Sequence, residues 1–115
     1  IQSNGVVVQQ HVRVGRFSLI QSGCRVQKDV PPYVILGGNP ASYHGVNTVV
    51  LKQVKVTDRI LRHIANTYRI IYTGNFSLQD AVIKIPEQIP MSEEIEKILE
   101  FIKGAKNGIV RNMEE

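Results

Sequence analysis

Residues 6–30 read VVVQQHVRVGRFSLIQSGCRVQKDV, and this stretch decides the fold. Val8, Val14, Ile20 and Val26 recur at a strict interval of six. A second series, Val6, Val12, Ser18, Cys24 and Val30, runs two residues earlier and holds only small side chains. A helix advances about 100° per residue, so six residues rotate roughly 240° and such a series scatters around its surface. A strand repeats every two residues, so a step of six keeps every member on the same side. A chain that turns a corner every sixth residue therefore stacks these positions into one buried column. That is the hexapeptide repeat of a parallel β-helix.

If a coil is three hexapeptides, residues 1–30 supply little more than about one and a half coils, and a solenoid needs about three or more repeat units for stability. The chain opens at Ile1, without an initiator Met and already in register. The expectation is the C-terminal piece of a longer protein whose upstream coils are absent. The alternative is a processed protein with a short irregular N-terminus.

The length of 115 residues suits one domain, and 43% hydrophobic with 21% charged residues is ordinary globular usage. No apolar run approaches the ~18 residues of a membrane span, and no signal-peptide layout is present. The lone Cys24 excludes an internal disulfide framework, reads as a buried structural thiol and leans towards the cytoplasm. The net charge of +4 divides unevenly, +7 over residues 1–73 and −3 over residues 74–115. The basic half suits an anionic ligand or an acidic protein. Aromatic residues do not interleave with the cations as single-strand binders require, which argues against nucleic acid.

Residues 31–48, PPYVILGGNPASYHGVNT, break the repeat. Pro31–Pro32 is poor strand material, so a last strand begins near Tyr33–Leu36 and an ordered exit loop follows. The period then becomes helical. Thr57 is a candidate N-cap, with Ile60, Leu61, Ile64, Tyr68 and Ile71 at helical spacing and Gly74–Asn75 as the stop. Ser77 with Asp80 starts a second helix that Pro86 ends, and Ser92 starts a third that stops at Gly104. The predicted architecture is β plus α: residues 1–36 as the terminal coils of the β-helix, 37–56 as the exit loop and 57–115 as a three-helix C-terminal domain.

The hexapeptide run leading into DVPPYVILGGNPASYHGVN (Asp29–Asn47), the Leu51–Lys52 pair and a helical tail ending in GIVR (Gly108–Arg111) together resemble the UDP-N-acetylglucosamine O-acyltransferase family. The resemblance covers essentially the whole chain as the C-terminal portion of that family. It implies a left-handed parallel β-helix, a cytoplasmic homotrimer with active sites at subunit boundaries, and no metal or organic cofactor. It also implies the first acylation of lipid A synthesis, in which a 3-hydroxyacyl group passes from acyl carrier protein to the 3-hydroxyl of UDP-N-acetylglucosamine. The family's general base is a histidine on the middle coils, and none of the three histidines here matches that motif.

By the same resemblance, Gln9 and Gln10 stand where the family often has a His-Gln pair, and Gln10 matches as a sugar-nucleotide donor. Asn47 is the retained asparagine of the GVN motif and a candidate nucleotide contact. Gln53 and Val54 replace an arginine pair that grips phosphates, with Lys55 near enough in sequence to substitute. Val49 stands where an acid often meets the ribose. Leu19 and Ser22 match positions bounding the acyl groove, or simply fill turns of the coil. Pro40 stands where some members place a histidine near that groove, or stiffens the loop.

Arg59, Arg62 and Arg69 share one face of the first predicted helix, with Lys52 and Lys55 just before it. This is either a solvated helix face or the landing patch for the acidic surface of acyl carrier protein that the resemblance implies. His11 falls at a corner phase with Phe17, Gly23 and Asp29 and is expected exposed. His44 is expected to pack in the exit loop and His63 to lie on the polar side of its helix. No metal-ligand spacing is present. Two other functions remain open: the sister hexapeptide N-acyltransferase, and a non-catalytic cap that closes a β-helix and drives oligomerisation.

Overall fold

Left-handed backbone recurs at the same interval as the valines: Gly5 (φ 79°), His11 (70°), Phe17 (57°) and Gly23 (79°). These are the corners of the coil in the computed structural model, which describes residues 5–8, 10–105 and 108–112. A non-glycine residue pays roughly 1–2 kcal/mol for this conformation, so His11 and Phe17 are held there by the stacking around them. Gly5 and Gly23 meet the requirement without a Cβ.

Between corners lie short strands: β1 (Val7–Val8), β2 (Leu19–Ile20), β3 (Arg25–Val26) and β4 (Val34–Gly37). β1 pairs parallel with β3, Val8 opposite Val26 eighteen residues on. That spacing is one coil of three hexapeptides. The single column expected from the sequence is therefore three short stacks on three faces: Val8 on Val26, Val14 on Val30, and Ile20 on Leu36. The last two spacings are sixteen, not eighteen. Only three residues separate Val26 from Val30, so this corner is two residues short. Val30 thereby moves into the large-residue series, and Asp29 has no left-handed φ and instead bridges Ile109. The left-handed role passes to Tyr33 (φ 69°), whose ring stacks on Phe17 at 6.3 Å.

The short corner brings Pro31–Pro32 hard against Gly15. A Cβ on Gly15 would lie 2.6 Å from Pro32 Cα and 2.8 Å from the Pro31 carbonyl carbon, both backbone atoms that cannot swing away. Only glycine fits.

The predicted exit loop carries two elements, a correction to the expectation. β5 (Ser42–Val46) pairs antiparallel with β4, so the parallel stack ends in a hairpin. Ile35 faces Gly45 and Leu36 faces Tyr43, which leaves His44 as the extra residue of a bulge. α1 (Thr48–Gln53) follows and buries Leu51 against the coil. The described residues thus hold four helices rather than three. α2 (Asp58–Thr73), α3 (Leu78–Gln88) and α4 (Glu93–Lys103) begin at the predicted caps. Thr57 Oγ1, Ser77 Oγ and Ser92 Oγ accept from the amides of Ile60, Asp80 and Ile95 at 3.3, 3.1 and 3.3 Å. Gly74 and Gly104 end α2 and α4 as expected. Pro86 does not end α3, which runs on to Gln88. In the last turn a proline forgoes one backbone bond and the remainder of the turn survives, with Ile89 donating to the Ile85 carbonyl at 2.8 Å.

One hydrophobic core joins both parts. Ile20, Val26, Val30, Val34 and Leu36 from the coils pack continuously with Leu51, Ile64, Tyr68, Ile85, Ile95 and Ile98 from the helices. Val6, Val8, Val12 and Val14, in the first described coil, are only partly buried. The seam is aromatic: Tyr43 stacks on Tyr72 at 4.2 Å and on Tyr68 at 5.7 Å. Tyr68 donates its hydroxyl to the Pro32 carbonyl, and Tyr72 donates to that of Val110 at 2.8 Å. Among the described residues, no helix is long and apolar enough to cross a membrane.

Candidate substrate and carrier surfaces

Asn47 joins three elements. Its side-chain amide donates to the Phe17 carbonyl at 3.0 Å and its backbone amide to that of Tyr33 at 2.7 Å, while its own carbonyl accepts from Leu51. It is buried at the entry to α1, holding the helix to two stacked corners. Gln10 lies exposed in the turn before the His11 corner, without a side-chain hydrogen bond to the described residues. Gln9 lies outside the described residues. Gln53 ends α1 and is exposed, so no direct contact gathers Gln10, Asn47 and Gln53.

Beside Asn47 is a cleft of about 210 Å³ between the Phe17 and Tyr33 corners, α1 and the start of α4. Arg16 and Lys97 contribute cations, Glu93 and Glu94 carboxylates, and Val54 an apolar wall. Burial, and then the charge of Glu94, push the Tyr33 hydroxyl above the ordinary tyrosine range. The mixed charge disfavours holding a diphosphate there without further cations.

Leu19, on β2 opposite Ile35, is half-buried, and Ser22 is exposed in the turn that follows. Pro40 lies in the β4–β5 turn, next to Ala41, whose amide donates to the Arg25 carbonyl at 3.0 Å. Leu19 and Ser22 thus lie on the path from β2 to β3, and Pro40 lies beside the residue that bonds to β3.

Arg59, Arg62 and Arg69 form an exposed stripe on α2, as their spacing requires. Lys52 is exposed in the last turn of α1, and Lys55 is exposed in the left-handed link to α2 (φ 67°). None of the five is engaged in an ion pair with the described residues. Val49 and Val54, at 66% and 46% exposure, add apolar surface beside Lys52. Such a mixture suits a partner with acidic and apolar groups interspersed.

His11 is exposed at its corner as expected. His44 is exposed on β5 rather than packed in a loop. His63 is only partly exposed, and its Nδ1 is buried without a partner among the described residues, so its surroundings are less polar than the helical spacing suggests. Cys24 is buried, and burial raises its thiol above the usual range. The described residues hold no group of three or more metal-ligating side chains.

Sequence reasoning missed two features. Arg13 Nε meets Asp29 Oδ2 at 3.3 Å, its Nη2 donates to the Phe101 carbonyl at 2.8 Å, and its guanidinium covers the Phe101 ring at 4.3 Å. It fastens the C-terminal end of α4 to the coil, sharing the Phe101 carbonyl with the Gly104 amide. Arg25, Lys28 and Arg111 line one further cleft of about 370 Å³. Only the coil register and the return of the C-terminal segment bring these residues together.

The end of a parallel hexapeptide β-helix, closed by a hairpin and a helical tail, defines the class. Residues 29–110 match the family described as "Udp N-acetylglucosamine O-acyltransferase; Domain 2". The chain belongs to the UDP-N-acetylglucosamine O-acyltransferase family. It is similar to the acyl-[acyl-carrier-protein]–UDP-N-acetylglucosamine O-acyltransferase of Syntrophobacter fumaroxidans, 36% identical over 98 residues, 84% of this chain and 38% of that protein. The Halorhodospira halophila protein of the same name is 30% identical over 91% of this chain and 41% of its own length. The crystal structure of a UDP-N-acetylglucosamine acyltransferase from Bacteroides fragilis superposes with a TM-score of 0.93 at 41% identity, covering 96% of this chain and 44% of that one. The chain thus spans well under half the length of these relatives.

Proposed function

We propose that this chain is the C-terminal segment of an acyltransferase that moves a 3-hydroxyacyl group from acyl carrier protein to the 3-hydroxyl of UDP-N-acetylglucosamine in lipid A synthesis. The observation that carries the reading is the family match from Asp29 to Val110, which takes in the last coil strand β4, the hairpin and the helices. The full protein is a cytoplasmic homotrimer of left-handed coils, without metal or organic cofactor.

A sugar hydroxyl is a poor nucleophile at neutral pH, so a positioned histidine takes its proton as it attacks the thioester. In this reading that histidine comes from outside these residues, and backbone amides stabilise the developing oxyanion. Gln10 and Asn47 contact the sugar nucleotide, and Gln53 lies at the phosphate end with Lys55 as the nearby cation. Leu19, Ser22 and Pro40 bound the acyl chain along the coil edge. Lys52, Lys55, Arg59, Arg62 and Arg69 receive the acidic carrier protein, and their unpaired charge supports that role.

The test has two arms. The isolated chain, given 3-hydroxyacyl carrier protein and UDP-N-acetylglucosamine, is expected to give no acyl transfer, and turnover by it contradicts the placement of the base. Acyl carrier protein is expected to bind the chain with strong salt dependence and to lose most of that binding when Arg59, Arg62 and Arg69 become Glu. Unchanged binding by that variant sinks the carrier surface.

A further inference from the structure

We propose that the cleft where β3, the shortened corner and the C-terminal segment meet binds a soluble phosphate-bearing anion, with Arg25 and Lys28 as its cationic contacts and Arg111 in its wall. Its volume of about 370 Å³ suits a small ligand, and no Asp or Glu lines it among the described residues. The carboxylate nearest in sequence, Asp29, is engaged elsewhere. Its Oδ1 accepts from the Arg13 amide at 2.9 Å and its Oδ2 from Arg13 Nε at 3.3 Å. Arg25 and Lys28 make no ion pair with the described residues, so their charge is not neutralised within the described chain.

The cations stand on fixed backbone rather than on a loose surface. The Arg25 carbonyl accepts from Ala41 at 3.0 Å, and the Asp29 carbonyl, next to Lys28, accepts from Val110 at 2.9 Å. The bridges Asp29–Ile109 and Tyr43–Asn112 hold the C-terminal segment on either side of Arg111. Arg25 and Lys28, on one stretch, meet Arg111 because the short corner and the returning C-terminal segment place them together. Arginine forks and a lysine ammonium match phosphate oxygens in charge and hydrogen-bond geometry. The cleft near Asn47 differs in just this respect, since Glu93 and Glu94 line it. The proposal does not rest on the acyltransferase reading and stands or falls separately.

The test titrates the whole chain with inorganic diphosphate, inorganic phosphate and phosphatidylglycerol vesicles, followed by calorimetry and by backbone amide NMR. Diphosphate is expected to bind saturably and more tightly than phosphate, shifting the amides of Ala41, Ile109 and Val110. Arg25→Gln combined with Lys28→Gln is expected to raise the dissociation constant about tenfold or more, as loss of charge-assisted bonds requires. Lys84→Gln combined with Lys103→Gln removes as much charge elsewhere and is expected to change it less than about twofold. Absence of a saturable shift in the unmodified chain overturns the proposal, whatever the variants do. So does equal loss in both pairs, or binding to vesicles with none to soluble phosphates.

Discussion

The coils of β1–β4 and the helices α2–α4 bury similar aliphatic side chains by opposite routes. In the parallel stack paired residues lie sixteen or eighteen positions apart, and left-handed residues mark the regular corners. In the helices partners lie four residues apart, and each start is fixed by one Ser or Thr side chain. A coil is therefore unstable until its neighbours and its cap are in place, whereas a helix carries its own boundaries. The two meet at Tyr43, Tyr68, Tyr72 and Arg13, so damage to that seam harms the coils more than the helices.

Breaking a coil at its tightest point tests this contrast most severely. Gly15→Ala places a methyl against the Pro31–Pro32 backbone and is expected to cost about 3 kcal/mol, at the upper end of overpacking. Gly23→Ala meets no atom within 4 Å and strains only its φ of 79°, so about 1 kcal/mol is expected. Urea denaturation of the two variants checks the difference. Equal costs mean that backbone conformation, not the short corner, governs Gly15.

At the seam, Tyr68→Phe leaves the buried Pro32 carbonyl without its donor and is expected to cost about 2 kcal/mol. Chemical denaturation reads that cost, and a loss below about 0.5 kcal/mol would show the bond to be dispensable.

Alkaline pH reaches the same place. Burial first, then neighbouring tyrosines, raise the hydroxyls of Tyr68 and Tyr72 far above the unfolded value of about 10. The native state then holds protons that the unfolded chain has released. The stabilisation is complete below pH ~10 and falls above it by about 1.4 kcal/mol per pH unit for each such tyrosine. Stability measured from pH 9 to 11.5 is expected to fall less steeply in Tyr72→Phe by about one tyrosine's share. An identical slope contradicts the linkage.

Arg13→Gln is the mildest change. With the side chain 47% exposed, its ion pair contributes little, and a loss of under about 1 kcal/mol is expected from denaturation curves. A larger loss would mean that its cover of α4 dominates the seam.

The fold was readable where the physics is periodic or local. The six-residue interval announced the coils, and Thr57, Ser77, Ser92, Gly74 and Gly104 marked helix ends because capping depends on a few adjacent residues. The short corner after Val26 was hidden, since Val30 satisfies the six-residue series equally well and only pairing with Val14 reveals the slip. β5 and α1 escaped because Gly38, Pro40 and Gly45 signal turns more strongly than their neighbours signal strand or helix. At the candidate site, the cations of α2 were legible from helical spacing. Asn47's bond to Phe17 spans thirty residues, its bond to Tyr33 depends on the hairpin, and the meeting of Arg25, Lys28 and Arg111 depends on the short corner and the C-terminal return, none of which a local pattern encodes.

These residues are expected to supply the C-terminal portion of a working O-acyltransferase. A chimera tests that expectation directly, with this chain replacing the matching part of the Bacteroides fragilis acyltransferase and assembly verified before assay. The chimera is expected to transfer the 3-hydroxyacyl group to UDP-N-acetylglucosamine, and the isolated chain is expected to transfer none. A folded, assembled chimera without transfer, or transfer by the isolated chain, would contradict it.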